Sequence, residues 1–205
     1  PFGPQHTDLF EWAWEVKPKE RAKPFVAIWS RGFGKSTSAE TVAVMLGARE
    51  QRKYLLYVSE TQELADSHLL AIRGMIESPV LKSYYPVFAT PKISKEGHSK
   101  GWRHNRLYCG NGFVVDSIGL DTAKRGSRIM DARPDFMIFE IGFNHDEEKH
   151  QTLTGILNQI KDRFHNEIFM AICSSTSEKF SYTGDLLYNN REETKGSDLV
   201  DALLF

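Results

Sequence analysis

The sequence predicts an α/β domain built around a mostly parallel sheet, and three observations carry that expectation. Short apolar runs suited to strands alternate with longer segments of helical periodicity, the pattern of β–α–β units. The first such run leads through the turn Ser30-Arg31-Gly32-Phe33-Gly34-Lys35-Ser36-Thr37 directly into a helical segment. A length of 205 residues at 40% hydrophobic and 26% charged composition suffices for one ordinary core and excludes a disordered or collagen-like chain.

The elements follow in order. Residues 7–16 read as a short aromatic-rich helix with Leu9, Phe10, Trp12 and Trp14, and residues 17–23 as a charged turn broken by Pro18. Residues 24–29 (PFVAIW) suit a buried strand, and residues 37–49 the helix after the glycine turn. Residues 53–59 (KYLLYVS) predict a second strand. Ser59 and Gln62 have capping-box spacing. They stand before a helix that aligns Leu64, Ala65, His68, Leu69, Ile72, Met75 and Ile76 on one face and ends before Pro79.

Residues 91–106 are polar and basic. Residues 106–109 and 113–118 read as two strands joined by Gly110-Asn111-Gly112, a hairpin turn. Residues 121–133 form a basic loop, and residues 136–141 (FMIFEI) a buried strand. Residues 149–164 are amphipathic through Leu153, Ile156, Leu157, Ile160 and Phe164, with Asn144 or Asp146 as cap. Residues 167–173 (EIFMAIC) predict a further strand, followed by Ser174-Ser175-Thr176-Ser177. There is no internal repeat and no low-complexity segment.

Charge and cysteine usage narrow the partners. Twenty-six Lys and Arg nearly balance twenty-seven Asp and Glu, so any nucleic-acid surface is local rather than global. No apolar run approaches the roughly 18–20 residues of a transmembrane helix, and no membrane partner is expected. Cys109 and Cys173 lie too far apart in sequence for a close-spaced metal motif and do not make a disulfide framework, which points to a reducing cytosol. The chain opens on Pro1 without a signal-peptide pattern, as expected of a trimmed chain or one domain of a longer protein.

The turn between the first strand and its helix is a phosphate loop in its chemistry. Glycine lets the backbone approach an anion closely, and the helix behind it supplies the positive end of a dipole. Lys35 is placed to reach β/γ-phosphates, and Ser36 supplies a hydroxyl for magnesium. The nucleotide set is therefore Ser30, Arg31, Gly32, Phe33, Gly34, Lys35, Ser36 and Thr37, with ATP and Mg2+ as cofactors. The loop is a variant: Trp29 stands where the standard pattern has its first glycine. The plainer reading is a strand–helix turn that happens to contain Gly-Lys-Ser, with Arg31 a solvated loop arginine.

These residues resemble the ATPase domain of the large terminase subunits, the DNA-packaging motors of tailed bacteriophages. The markers are Arg31 before Gly-x-Gly-Lys-Ser, residues 53–59 followed by Glu60-Thr61-Gln62-Glu63-Leu64-Ala65, Ala123-Lys124-Arg125-Gly126 with Arg133-Pro134-Asp135 ahead of an apolar strand, and Ser174-Ser175-Thr176 after the last strand. The resemblance runs from about Gln5 to about Asn189. It implies a P-loop NTPase of the ASCE type, with a mostly parallel central sheet flanked by helices and a β-hairpin insertion near residues 105–118. It implies one motor domain over residues 1–205, and nothing in this chain provides the carboxylate cluster of the family's nuclease domain.

The resemblance also assigns roles. Glu140 would hold magnesium together with Ser36, although the family has Asp there. A second, water-orienting acid follows that Asp in the family, and here the next residue is Ile141. Asp146, Glu147 or Glu148 could serve instead, or could be ordinary first-turn acids. Arg31 and, from a neighbouring subunit, Arg125 would stabilise the transition state, with Arg128 and Arg133 as rivals. Gln5 would read the adenine edge, since its amide both donates and accepts. The aromatic cluster after it is equally consistent with core packing. Ser174, Ser175 and Thr176 would couple γ-phosphate loss to the domain, or simply form a polar turn.

Lys92, Lys95, Lys100, Arg103 and Arg106 crowd one segment with only Glu96 opposing, and His98, Trp102 and His104 interleave. Such a patch can follow a DNA backbone without reading bases. The plainer reading is a solvated hairpin. His98 and His104 have no further ligand at a suitable spacing for zinc. The expected function is ATP-driven packaging of double-stranded DNA, in a ring of identical copies with portal protein and small terminase subunit as partners, in the host cytoplasm. The alternatives are a nucleotide- and DNA-binding assembly domain with impaired hydrolysis, a helicase-like ATPase, and a small-molecule kinase.

Overall fold

The computed structural model describes residues 2–19, 25–30, 32–95, 97, 101–120, 134–142 and 168–175. The described elements are α1 (Pro4–Glu15), β1 (Phe25–Ser30), α2 (Lys35–Ala48), β2 (Tyr54–Ser59), α3 (Gln62–Ile76), α4 (Pro79–Tyr84), β3 (Arg106–Tyr108), β4 (Val114–Gly119), β5 (Phe136–Gly142) and β6 (Ile168–Ser175). They build one six-stranded sheet in the order β1-β6-β5-β2-β4-β3. The first five strands in that order run parallel, and β3 pairs antiparallel with β4 at the edge. All six positions of β2 are buried, which explains its unbroken apolar run in place of alternation.

The order of strands decides what meets at one end of the sheet. β6 lies between β1, which leads into the glycine loop, and β5, which carries Glu140. Trp29 pairs with Ser174 and Ser30 with Ser175, while Ser59 pairs with Glu140. At the opposite end, the Asp135 carboxylate accepts from the backbone N–H groups of Lys53 and Tyr54 at 2.8–3.1 Å. One side chain thereby satisfies strand-start donors of β2 and sets its register against β5.

Several expectations shift on the structure. The first helix starts at Pro4, so Gln5 lies in its first turn and does not precede it. The second starts at Lys35, two residues earlier than its apolar pattern, because Gly34 in the left-handed region serves as its N-cap. Thr61, not Ser59, caps α3: its side chain accepts from Leu64 N–H, while Ser59 is the buried last residue of β2. Leu64 is 41% exposed and falls off the buried face that Ala65, His68, Leu69, Ile72 and Ile76 form. α3 ends at Ile76, and Pro79 opens α4, where its missing N–H costs nothing.

The hairpin is present as β3 and β4 at the edge of the sheet. Its turn has Gly112 at φ 95°, and Asn111 donates to the Gly47 carbonyl at 3.0 Å. Its second strand, β4, lies parallel to β2 over six residue pairs and so belongs to the central sheet. The helix expected over residues 149–164, the loop 121–133 and the tail lie outside the described residues.

The hairpin also fixes a close contact with α2. A Cβ on Gly47 would lie 2.7 Å from the ring carbons of Phe113, itself only 1% exposed. Replacing a helical glycine by alanine favours the helix by about 1 kcal/mol. Overpacking against a locked ring costs about 1–3 kcal/mol. Gly47→Ala is therefore expected to lower the urea midpoint of unfolding, whereas Gly74→Ala, with open space around its Cβ on α3, is expected to raise it.

Candidate active site

The glycine loop needs glycine at two positions. Gly32 has φ 87° and Gly34 φ 70°, conformations that side-chain-bearing residues rarely adopt. Gly34 brings the chain into α2, whose first backbone amides face outward from the helix start. Lys35 is the first residue of α2 and only 8% exposed, Ser36 is half-buried, and Phe33 and Thr37 are exposed. Ser30 is described as the last residue of β1, and Arg31 lies outside the described residues.

Glu140 comes to the loop from β5. The Ser36 hydroxyl donates a short hydrogen bond to Glu140 Oε1, joining residues 104 positions apart. The other oxygen, Oε2, accepts from the Tyr57 hydroxyl at 2.5 Å. His68 Nε2 stands 3.2 Å from the same Oε2, off the line of a hydrogen bond. Among the described residues that buried nitrogen has no hydrogen-bond partner. On the other side of the ring, His68 Nδ1 meets Glu40 Oε1 at 2.7 Å. The imidazole also stacks on the Tyr57 ring, with centroids 4.9 Å apart and planes at 22°.

Electrostatics follow from this packing. Burial opposes a charged His68, but the hydrogen bond with Glu40 and the nearby Glu140 and Glu40 charges outweigh it, and its pKa is raised above 6.5. Burial first, then the Glu140 carboxylate, pushes the Tyr57 hydroxyl well above the ordinary tyrosine range, so it remains a donor. Tyr57, His68 and Glu40 are not legible as site residues in the sequence. The signals they leave are a histidine on an otherwise apolar helix face, a tyrosine inside a buried strand, and an acid four residues after Ser36.

α1 closes the loop from the other side. Gly3 N–H donates to His6 Nδ1 at 3.0 Å, which leaves the proton on Nε2 to donate to the Phe33 carbonyl at 2.9 Å. His6 packs edge-on to Trp29, with centroids 4.9 Å apart. Phe2, His6, Gly32, Phe33 and Gly34 line an open cleft of about 490 Å³, within the usual size of a small-molecule site. Gln5 is half-buried, and its carboxamide folds against Gly3, where a Cβ would meet Oε1 at 2.6 Å. Thus Phe2 and His6, not Gln5, line the cleft beside the loop.

The basic segment divides. Lys95 and Arg103 are exposed, and Lys92 is half-buried with its ammonium 3.4 Å from the Gly110 carbonyl. Arg106 donates to both oxygens of Asp116, at 2.5 and 2.8 Å, and Asp116 also accepts from Tyr54 at 2.6 Å. Arg106 is engaged within the sheet. Lys100, Arg125, Arg128 and Thr176 lie outside the described residues, and Ser174 and Ser175 are described as the end of β6.

The donors at the loop fit magnesium. Ser36 and Glu140 offer hard oxygen ligands side by side. Magnesium commonly takes one or two protein oxygens and completes its shell with phosphate and water. Among the described residues there is no group of three or more His, Cys, Asp or Glu that could hold a metal ion.

The central sheet flanked by helices matches the folds of phage DNA-packaging ATPases. The structure is similar to that of the large terminase from a thermophilic bacteriophage, with TM-score 0.56 and 15% identity over 85% of this chain and 39% of that one. It is similar to the N-terminal domain of the DNA packaging ATPase from bacteriophage phi29, with TM-score 0.51 and 13% identity over 91% of this chain and 84% of that one. A third likeness is to the Phi-28 gp11 DNA packaging motor, with TM-score 0.50 and 17% identity over 77% of this chain and 48% of that one. The chain therefore spans well under half of the thermophilic phage's terminase. No protein-family model matches the sequence, nor does any curated protein. Among the described residues no helix is long and apolar enough to cross a membrane.

Proposed function

We propose that this chain is the ATP-binding and ATP-hydrolysing motor domain of a phage machine that packages double-stranded DNA. The observation that carries the reading is the Ser36–Glu140 contact at the glycine loop, which joins the two residues assigned to magnesium from opposite ends of the sequence. The single strand between β1 and β5 supports the ASCE type of P-loop fold. Lys35 and the loop amides bind the β/γ-phosphates, and Ser36 and Glu140 hold magnesium. When bound, that ion offsets phosphate charge and orients the phosphates. The base rests in the cleft by Phe2 and His6, with Gln5 behind it at Gly3. Arg31 and a neighbour's Arg125 stabilise the transition state, and Ser174, Ser175 and Thr176 couple it to movement.

Lys92, Lys95, Lys100 and Arg103 supply the DNA contact, and Arg106 serves the sheet instead. Identical copies in a ring, a portal protein and a small terminase subunit complete the machine, which works in the host cytoplasm. A second reading, a nucleotide-binding assembly domain without efficient turnover, is favoured by Ile141 after Glu140. ATP turnover with and without duplex DNA separates the two. A motor domain is expected to be stimulated by DNA. The Lys92→Ala, Lys95→Ala, Arg103→Ala combination should lose that stimulation and flatten the salt dependence of DNA binding by about one unit of slope per phosphate contact. Turnover blind to DNA at low salt would contradict the motor reading.

A further inference from the structure

The partners of Glu140 form a closed circuit. Ser36 and Glu40 stand four residues apart on α2, hence on one face, a turn apart. Ser36 contacts Glu140 directly, and Glu40 contacts it through His68 of α3. The imidazole is held by the Glu40 carboxylate at 2.7 Å and by the Tyr57 ring beneath it, and Glu40 is only 5% exposed. Tyr57 then closes the inner side by donating to Glu140 Oε2. Tyr57 of β2 hydrogen-bonds Oε2, His68 of α3 packs 3.2 Å from the same oxygen, and Ser36 of α2 hydrogen-bonds Oε1. The carboxylate cannot rotate about its terminal bond without losing a contact on each side.

We propose that His68, anchored by Glu40, is a positioning residue for the metal-binding carboxylate: it holds Glu140 Oε2 so that Oε1 remains beside Ser36 at the phosphate loop. The proposal rests on the magnesium reading of Ser36 and Glu140. The circuit ties the spacing between α2 and β5 to a third element, α3. Metal ligands commonly depend on such supporting partners, and losing one costs about ten- to a hundredfold in metal affinity. A side chain that merely filled space under α3 would have no selective effect on the metal.

The test uses Mn2+ as a spectroscopic stand-in for magnesium and ADP as the nucleotide. Mn2+ binding to the ADP-loaded chain is followed by electron paramagnetic resonance, and ADP binding is measured separately in EDTA. His68→Ala and Glu40→Gln are expected to weaken Mn2+ binding about tenfold or more while leaving metal-free ADP affinity within about twofold. His68→Gln, which keeps a planar polar side chain against Glu140, is expected to recover most of the loss. Cooperative thermal melting confirms that each variant is folded. Should His68→Ala melt at low temperature, Glu40→Gln carries the test alone.

Wild-type Mn2+ affinity in folded His68→Ala or Glu40→Gln would overturn the inference while leaving the site reading intact. A parallel fall of Mn2+ and metal-free ADP affinity would assign the cluster to general packing and also overturn it. Failure of the wild-type chain to bind Mn2+ with ADP would instead overturn the magnesium site itself, and the inference with it.

Discussion

Lys35→Ala is expected to weaken ATP binding by about a hundredfold or more and to abolish turnover. The lysine is the first residue of α2, directly after the two positive-φ glycines, and it is largely buried. A charge-assisted contact with a phosphate is worth up to about 3 kcal/mol, which is roughly a hundred- to two-hundredfold in a dissociation constant. The loss should appear in isothermal titration with ATP and Mg2+. A melting temperature near that of the wild type would tie it to the ligand and not to the fold. Near-wild-type affinity would mean that the glycine turn does not hold phosphate.

The second large effect is a gain. Glu140→Asp together with Ile141→Glu is expected to raise single-turnover ATP hydrolysis by about a hundredfold, the lower range of what a positioned general base contributes. β5 runs on to Gly142, so position 141 is still paired with Cys173 of β6 when the strand reaches the loop. Ile141→Glu alone isolates the added base from the shortened metal ligand. An increase with either variant would describe a motor that lacks only a water-orienting acid. An unchanged rate, with ATP affinity retained, would place the deficit elsewhere, in an arginine supplied by a second copy or in a site built for binding alone.

What can be read from the sequence is whatever lies within a few residues of itself. The loop from Ser30 to Thr37 is contiguous, and its strand and helix flank it, so the phosphate-loop reading can be made from spacing alone. The strands are legible as apolar runs, and Pro79 marks the end of α3. Periodicity places Ala65, Leu69, Ile72 and Ile76 correctly on the buried face, but it treats His68 as another member of that face. Its actual neighbours, Glu40 and Glu140, come from another helix and a distant strand. Strand order is equally hidden. Nothing in β6 announces that it inserts between β1 and β5, and nothing in β4 announces that it lies along β2. Arg106 shows the same limit, since a basic residue in a basic segment reads as a surface charge until Asp116 is seen across the pair.

The central claim is that the glycine loop and Glu140 form one magnesium–nucleotide site. Its most direct test is ATP affinity with and without Mg2+, for the wild-type chain and for Glu140→Ala. The account predicts that Mg2+ tightens ATP binding to the wild-type chain and that Glu140→Ala removes this tightening while leaving metal-free ATP affinity close to the wild-type value. ATP binding that is indifferent to Mg2+ in the wild-type chain, or a magnesium effect that survives in Glu140→Ala, would contradict it.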